Sequence, residues 1–566
     1  MKEREHVSLN TRPSRGSRSA ATSTPMAPRA SEPGSMTHRE ILEALSGLLI
    51  ALFVAMLSST VVSNALPAIV SDLDGSETGY TWVVVATLLT MTASTPIWGK
   101  LADLFSKKLL VQSALVIYVV GSLIAAFAPN MGALIGARAI QGLGVGGLTA
   151  LVQVVIASMV SPRERGRYSG YLGAVFALAT VSGPLIGGVI VDTPGLGWRW
   201  CFGVGIPVAL VAFVVLQKTL HLPTIRREVH IDYVGAVLIA AGVSLLLTWV
   251  SLAGSSFGWV STTSGLLAGG GVLVLLAAVF VEMRVAIEPI IPTRLLRDRT
   301  TALATAASVM VGIAMFGATI YLSQYFQIAR GMSPTHAGLM SIAMVGGLLV
   351  SSISTGRIIS NTGRWKRYLV GGMVFVIAGL LLLSRIDDKT ALWQVGLWMA
   401  IVGIGLGATM QNLVLAVQNN AAQSDMGAAS ALVAFFRSMG GAIGVAALGA
   451  LLSHQVSDKV SAGLAGLGID PGKGGDTTTI PDLSTLPPPV RAVFQSAFGE
   501  ATGHLFLVAA PFALVALVCV LFIKEVPLRT TLETAEKDAP LGSATGLDDS
   551  GDPTSEDLEL TGRHSR

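Results

Sequence analysis

The sequence predicts an all-α integral membrane protein with 14 transmembrane helices, and three observations lead to this fold class. Hydrophobic residues make up 52% of the 566 residues and charged residues only 13%, whereas soluble domains carry about 25% charged residues. Continuous apolar runs of roughly 20 residues recur along the chain, and a helix of that length crosses a hydrocarbon core of about 30 Å. Lysine and arginine collect in alternate loops between the runs. Because the runs do not alternate between apolar and polar residues, a transmembrane β-barrel is excluded.

Charged and turn residues bound each apolar run, and the runs group into three sets. In chain order they occupy 45–70, 81–101, 109–128, 132–160, 168–191, 201–217, 233–253, 264–283, 303–326, 336–358, 368–384, 391–418, 428–452 and 503–523. The first six runs predict a six-helix bundle at 45–217, and the next two predict a pair of central linker helices at 233–284. The last six predict a second six-helix bundle at 303–523.

The basic residues predict how the chain is oriented. They follow spans two, four, six, eight and ten, and include Lys107, Lys108, Arg163, Arg165 and Arg364. Cytoplasmic loops carry an excess of lysine and arginine. We therefore expect these loops and both termini to be cytoplasmic, in a multi-pass protein of the plasma membrane.

Three polar segments lie outside the predicted spans. Residues 1–44 are rich in Ser, Pro, Arg and Ala, and residues 527–566 end in an acidic stretch. Neither segment has enough apolar residues to form a core, so both are predicted to be disordered tails. Residues 453–500 have balanced charge and are predicted to form an extracytoplasmic loop between the last two spans.

An internal repeat indicates that the architecture is duplicated. The string GKLADLFSKK, Gly99 to Lys108, follows span two, and GRIISNTGRWK, Gly356 to Lys366, follows span ten. The two strings therefore occupy the same place in the two predicted bundles. Solute transporters are often built from two such repeats.

Motifs of several other functional classes do not occur in the sequence. The string GIDPGKGG (468–475) lacks the spacing of a phosphate-binding loop, and no HExxH, GxSxG or Cys/His cluster is found. Cys201 and Cys519 are too few for a disulfide framework. We therefore expect no catalytic residue, no cofactor, no metal and no nucleic-acid partner. The composition favours a transporter driven by an ion gradient, with a membrane enzyme or receptor as the alternative.

The string GKLADLFSKK carries the first candidate functional residues. Close helix packing at Gly99 would let Asp103 bind the N-terminus of a neighbouring helix or an arginine. Together with Lys107 and Lys108, Asp103 would then form a conformational latch that can break. The alternative is a solvated loop with ordinary cytoplasmic charge.

Spans four and five carry two further strings. Arg138 lies inside span four (LIGARAIQGLGVGG), where a charge costs at least ~2.5 kcal/mol. It is predicted to face a polar cavity, and the alternative is snorkelling to the outer interface. Span five contains GAVFALATVSGPLIGG, whose small residues favour close packing and whose proline bends the helix. The residues concerned are Gly183, Pro184, Gly187 and Gly188.

Together these strings resemble the major facilitator superfamily, and the number of spans is similar to that of its drug:H+ antiporter-2 family, the EmrB/QacA type. GKLADLFSKK resembles the loop motif GxLaDrxGrkxxl except at Leu104 and Ser106. The fourth-helix motif RxxQGxG is matched by Arg138, Gln141, Gly142 and Gly144, and the fifth-helix antiporter motif ending GPxxGG is matched by Gly183, Pro184, Gly187 and Gly188. The resemblance implies two bundles that expose a central cavity alternately to each side. It also implies export of hydrophobic compounds in exchange for protons.

One residue departs from the pattern of that family. Its first-helix motif reads LDxTIVxxALP, and this chain has LSSTVVSNALP, so that Ser58 replaces the aspartate. The resemblance implies proton coupling and attraction of cations at that aspartate. Serine does not titrate in the relevant range, so neither role transfers, and Asp103 is the alternative proton carrier.

Polar residues within the spans predict the substrate cavity. Ser59 and Ser63 are four residues apart, as are Thr60 and Asn64, so they give span one a polar stripe; the alternative is close helix packing. The cavity candidates are Ser58, Ser59, Ser63, Asn64, Arg138, Gln141, Gln411, Gln418 and Arg437. Since no acid lies well inside a span, we expect neutral, zwitterionic or anionic amphiphiles to bind to a monomeric transporter. Export of an endogenous lipid or secondary metabolite without proton coupling is the alternative.

Overall fold

The structure is a computed structural model that describes residues 38–73, 77–193, 195–222, 232–254, 257–286, 288–469 and 487–529. The described residues form helices and no β-strand beyond one isolated bridge between Ala253 and Phe257. Among them, 14 helices are long and apolar enough to cross a membrane. The predicted fold class and number of spans are therefore confirmed. The predicted tails and the middle of the segment 453–500 lie largely outside the described residues.

The helices follow the chain with few interruptions. They are α1 (His38–Asp72), α2 (Glu77–Leu104), α3 (Lys107–Ala126), α4 (Met131–Met159), α5 (Pro162–Asp192), α6 (Trp200–Gly203), α7 (Gly205–Thr219), α8 (Tyr233–Leu252), α9 (Thr262–Arg284), α10 (Thr293–Arg297), α11 (Arg299–Ile328), α12 (Pro334–Met340), α13 (Ile342–Thr362), α14 (Lys366–Leu383), α15 (Leu392–Asn420), α16 (Met426–Gly466) and α17 (Pro488–Phe522). The described parts of segment 453–500 continue α16 and begin α17.

Polar residues cap the first turns of helices at the beginnings of the apolar runs. The side chain of Asn130 accepts a hydrogen bond from the backbone of Ala133 at the start of α4, at 2.9 Å. Asp298 does the same for Thr301 at the start of α11, also at 2.9 Å. Each cap satisfies an amide group that has no partner within its own helix, which is why the helices begin where the sequence changes from polar to apolar.

Two groups of helices have separate apolar cores. The first group, α1 to α7, buries Leu48, Leu115, Leu148, Leu172 and Leu216 in one cluster. The second group, α11 to α17, buries another cluster that includes Leu322, Trp365, Leu406 and Phe506. The linker helix α8 packs against α2 and α16, which belong to different bundles, and α9 packs against α8.

The helix pairs within the two bundles correspond to each other. In the first bundle α1 packs on α5, α2 on α4, and α3 on α4. In the second bundle the same pairs are α11 on α16, α13 on α15, and α14 on α15. The repeat seen in the two glycine-containing strings thus extends to the packing of both bundles.

Close helix packing in the first bundle depends on glycine at the contact between α3 and α4. A methyl group at Gly144 would lie 2.6 Å from the backbone nitrogen of Tyr118 and 2.7 Å from the carbonyl oxygen of Ala114. These are backbone atoms that cannot rotate away. By contrast, a methyl group at Gly136, two turns earlier on α4, meets no atom within 4 Å.

We predict that Gly144→Ala destabilises the protein and that Gly136→Ala does not. Overpacking at a backbone contact costs about 1–3 kcal/mol, whereas alanine in an open helical position gains up to about 1 kcal/mol over glycine. Thermal unfolding of the detergent-purified variants, followed by tryptophan fluorescence, measures the difference in Tm. Equal Tm values for the two variants would show that α3 and α4 are not packed this closely.

Candidate functional site

The carboxylate of Asp103 joins the two bundles at one face of the molecule, which we call the Asp103 face. Its Oδ1 accepts a hydrogen bond from the backbone nitrogen of Gly427 at 2.7 Å, and Oδ2 accepts one from Ala428 at 2.9 Å. Gly427 and Ala428 lie in the first turn of α16, whose amide groups have no partners within the helix. A negative charge at a helix N-terminus also interacts favourably with the helix dipole. The end of α2 therefore caps a helix of the other bundle.

Glycine lets the two bundles approach closely beside Asp103. A methyl group at Gly99 would lie 2.8 Å from the carbonyl oxygen of Gly427 and would clash with Ala431. The repeated string makes the corresponding contact between α5 and α13, where a methyl group at Gly166 would lie 2.6 Å from the carbonyl oxygen of Gly356. Both crossings bring backbone against backbone, so that both depend on the absence of side chains.

The other two basic members of the candidate latch lie beside this contact. Lys107 begins α3 and interacts electrostatically with Asp103. Lys108 Nζ donates to the carbonyl oxygen of Gln217 at 2.7 Å, within the first bundle. Lys107 is thus placed next to the carboxylate, whereas Lys108 connects α3 to α7.

Two arginines in the first turn of α5 also bridge the bundles. Arg165 is buried and donates to the carbonyl oxygen of Val160 at 2.8 Å and to the side chain of Gln418 at 3.2 Å. Arg163 donates to the carbonyl oxygens of Ser360 at 3.1 Å and Asn361 at 3.0 Å. From the sequence alone these arginines indicate only the orientation of the chain. Their partners in the other bundle lie about 200 residues or more away along the sequence.

The segment that follows α9 touches both helices of the Asp103 contact. Glu288 forms an ion pair with Lys100 of α2 at 3.5 Å, and Arg294 forms one with Asp425, directly before α16, at 2.7 Å. The carboxylate of Glu282 is buried and accepts hydrogen bonds from the backbone of the same segment. The linker helices are thereby fixed to the place where the two bundles meet.

Arg138 is enclosed within the first bundle. Its Nε donates to the carbonyl oxygen of Val83 at 3.3 Å, and its Nη1 donates to the side chain of Gln141. Gln141 in turn donates to Ser122 Oγ at 2.7 Å, and the guanidinium lies 5.9 Å from the ring centre of Phe202. Only 3% of Arg138 is exposed. The structure brings Arg138 and Gln141 together as a network among α2, α3, α4 and α6.

The polar residues of α1 divide between several environments. Ser58 is buried beside the phenol group of Tyr118, and Ser59 is exposed. Thr60 packs against Gly183 of α5 and its hydroxyl donates to backbone carbonyl groups, so it serves the contact between α1 and α5. The side chains of three other candidates, namely Ser63, Asn64 and Pro184, lie outside the part of the structure that is described.

The remaining candidates lie on α5, α15 and α16. Gly187 is buried, whereas Gly188 has open space beside it. Gln411 is partly exposed on α15, but Gln418 lies two turns later at the Asp103 face, where it donates to Ser430 at 2.8 Å. Arg437 is half-buried in the first third of α16. The structure therefore separates Gln411 from Gln418.

A second polar cluster lies at the opposite face. Trp198 Nε1 and Arg199 Nη1 donate to Asp72 Oδ2 at 2.9 and 3.0 Å, and Arg199 stacks on Trp198. These hydrogen bonds lower the pKa of Asp72 from its ordinary value. The cluster connects the end of α1 to the start of α6. Among the described residues no group of three or more His, Cys, Asp or Glu side chains is arranged to hold a metal ion.

Both the sequence and the fold are similar to those of known membrane transporters. The sequence profile of the Major Facilitator Superfamily matches residues 48–445. The chain is 35% identical over 503 residues to "Efflux pump dotC" of Dothistroma septosporum, which covers 87% of this chain and 85% of that protein. It is 33% identical over 427 residues to "Multidrug transporter protein MdtP" of Bacillus subtilis, which covers 75% of this chain and 78% of that protein. A crystal structure of the human organic anion transporter MFSD10 (TETRAN) has a similar fold, with a TM-score of 0.54 and 13% identity over 84% of this chain and 99% of that one.

We predict that Asp103→Asn opens the Asp103 face. The substitution removes the charge and one of the two accepting oxygens, and hydrogen bonds to a charged group contribute about 1.5–3 kcal/mol each. The ratio of closed to open molecules is expected to fall at least about tenfold. Spin labels at the exposed positions Phe105 and Gln423, on either side of the contact, report this ratio as a distance distribution in pulsed electron paramagnetic resonance.

The matched control is Asp458→Asn, which removes an exposed carboxylate from the far end of α16. It is expected to leave the distance distribution unchanged. An Asp103→Asn distribution identical to that of the unsubstituted protein would contradict the role of this carboxylate in holding the bundles together.

Proposed function

Since the chain belongs to the Major Facilitator Superfamily, we propose that it exports small hydrophobic or amphiphilic molecules across the plasma membrane by alternating access, in exchange for protons. The names of relatives at 33–35% identity, an efflux pump and a multidrug transporter, support export of chemically varied compounds. The two six-helix bundles, 45–217 and 303–523, would be the moving units, and a single copy would suffice.

The contact at the Asp103 face is the observation that carries this proposal. Alternating access requires two bundles that hold together at one face and can also separate there. The contacts between the bundles at this face include a carboxylate on two backbone amides, two glycine crossings and arginine hydrogen bonds. Polar contacts of this kind can be replaced by water when the bundles part, whereas a large apolar contact cannot.

We propose that the Asp103 face is cytoplasmic and that both termini lie on that side. The loops at this face carry Lys107, Arg163, Arg165 and Arg364, as cytoplasmic loops do. The structure then corresponds to the conformation that is closed towards the cytoplasm. Substrate would enter from the cytoplasmic side after the contact at Asp103 breaks.

We propose that Asp103 carries the coupling proton. The family's usual first-helix aspartate is replaced by Ser58, while Asp103 is a carboxylate placed on the contact that must break. A neutral carboxyl group interacts only weakly with the dipole of α16. Protonation would therefore release the contact, and this links proton binding to opening.

Overproduction of the protein is expected to raise the resistance of a drug-sensitive host to several unrelated hydrophobic drugs. The minimum inhibitory concentrations of these drugs should increase, because export lowers the concentration of each drug inside the cell. Asp103→Asn should return resistance to the level of the host, and Asp458→Asn should not. Unchanged resistance across a broad panel would argue against multidrug export.

Coupling to protons can be measured separately in proteoliposomes. An imposed pH gradient is expected to drive N-phenyl-1-naphthylamine, a neutral fluorescent amphiphile, against its concentration gradient. Asp103→Asn should abolish this accumulation, because its side chain cannot be protonated. If the unsubstituted protein equilibrates the amphiphile but never accumulates it under a pH gradient, the protein is a facilitator and not an antiporter.

A further inference from the structure

Two buried arginines, Arg138 and Arg165, have oxygen partners within the chain. Arg138 donates to Val83 and Gln141 and lies against the ring of Phe202. Arg165 donates to the carbonyl oxygen of Val160 and to Gln418. Each guanidinium thus replaces the water it loses on burial with oxygens of the protein, which is the ordinary solution for a charge at membrane depth.

Arg437 has no such solution. Its Nη1 is enclosed and has no hydrogen-bond partner anywhere in the described ranges. A guanidinium carries five N–H donors and cannot lose its charge under cellular conditions. Arg437 also lies ten residues beyond Gly427 on α16, or about 15 Å along the helix axis. It is therefore close to the middle of the hydrocarbon layer, where an unpaired charge is most costly.

The carboxylates nearest to Arg437 along the chain and at the linker helices are already engaged elsewhere. Asp103 caps α16, and Asp425 pairs with Arg294, about 18 Å from Arg437 along the helix. Glu282 accepts hydrogen bonds from the backbone of Ile290 and Ile291. None of these three carboxylates forms a hydrogen bond with Arg437, which leaves its guanidinium group available to an anion from outside the chain.

The residues directly before Arg437 on α16 are aromatic and lie where the bundles meet. Phe435 and Phe436 form an edge-to-face pair with ring centres 5.1 Å apart. Phe435 packs with Ala93 of α2 and with Ile239 of α8, so this stretch of α16 faces both the first bundle and the linker helices. A stretch of α16 that carries both aromatic residues and an unpaired guanidinium group suits a molecule that has an apolar body and one acidic group.

Two buried hydroxyl groups on the neighbouring helices are also without partners in the described structure. Thr92 lies on α2 and Thr305 on α11, and both helices pack against α16. Helical threonines usually donate to the carbonyl oxygen one turn earlier, so unsatisfied ones are uncommon. These hydroxyl groups are further unsatisfied donors on the two helices that pack against α16.

We propose that Arg437, and not Arg138, binds the acidic group of a transported amphiphile, so that the exported compounds include organic anions with an aromatic or aliphatic body. This inference rests on the proposed export function and adds its substrate class. It assigns Arg437 as the residue that selects anions. The same chemistry is offered by an anionic lipid headgroup, and the test separates the two sources.

The test uses two probes that differ by one sulfonate. 8-Anilinonaphthalene-1-sulfonate is anionic, and N-phenyl-1-naphthylamine is its neutral counterpart. Binding to the purified protein in a neutral detergent is measured by fluorescence for the unsubstituted protein, Arg437→Gln, Arg437→Lys and Arg364→Gln. Arg364 is exposed, so Arg364→Gln removes the same charge outside the membrane.

The expected result is a change in the Kd of the anionic probe alone. Arg437→Gln should raise the Kd of the sulfonate at least about tenfold, the usual effect of losing hydrogen bonds to a charged group. Its Kd for the neutral probe should change less than about twofold, Arg437→Lys should retain part of the preference, and Arg364→Gln should retain all of it. If the ratio of the two Kd values is the same in Arg437→Gln and the unsubstituted protein, the assignment is overturned.

Transport in phosphatidylcholine proteoliposomes distinguishes the remaining outcomes. The unsubstituted protein should move the sulfonate faster than Arg437→Gln does, and both should move the neutral probe at the same rate. Transport of the neutral probe without any preference for the sulfonate would leave export intact and overturn the anion assignment. If neither probe moves, the export proposal fails. If phosphatidylglycerol displaces the sulfonate and the sulfonate is not transported, Arg437 is a lipid site and the assignment is overturned.

Discussion

The first amide groups of α16 need acceptors, and a carboxylate from the opposite bundle supplies them. At the edge of a hydrocarbon layer water is scarce, so an uncapped helix end would be costly. Asp103 accepts from Gly427 and Ala428 and thereby fixes where α2 meets α16. The close approach at Gly99 and the ion pair between Arg294 and Asp425 lie around this single contact and depend on it.

The sequence was sufficient for the fold class and for the number of membrane-spanning helices. Runs of apolar residues and the placement of lysine and arginine predict the spans, because both follow from the thickness and charge preferences of a bilayer. The spacing of Gly99 and Asp103 predicts a helix N-terminus as the partner, but not which helix, since 324 residues separate Asp103 from Gly427. Arg138 illustrates the limit: whether it faces a cavity or a closed network depends on side chains of other helices.

The linker helices are integrated into the contact between the bundles. Helix α8 packs apolar residues against α2 and α16, and the segment after α9 pairs with charged residues on both sides of that contact. A movement of either bundle must therefore move the linker helices or break these pairs. The linker helices therefore form a third unit that has to move, or be released, when the two bundles change their relative position.

The length of α16 has a mechanical consequence. Its 41 residues span about 60 Å, roughly twice the hydrocarbon thickness of about 30 Å. One end is held by Asp103 and the other reaches beyond the membrane beside α17, where Lys459 pairs with Glu500. As an uninterrupted rod, the helix acts as a lever: a tilt of about 10° at the Asp103 end displaces its far end by ~10 Å. Under the proposed mechanism, release of the Asp103 contact on one side of the membrane would therefore be felt most strongly at the other end of the helix.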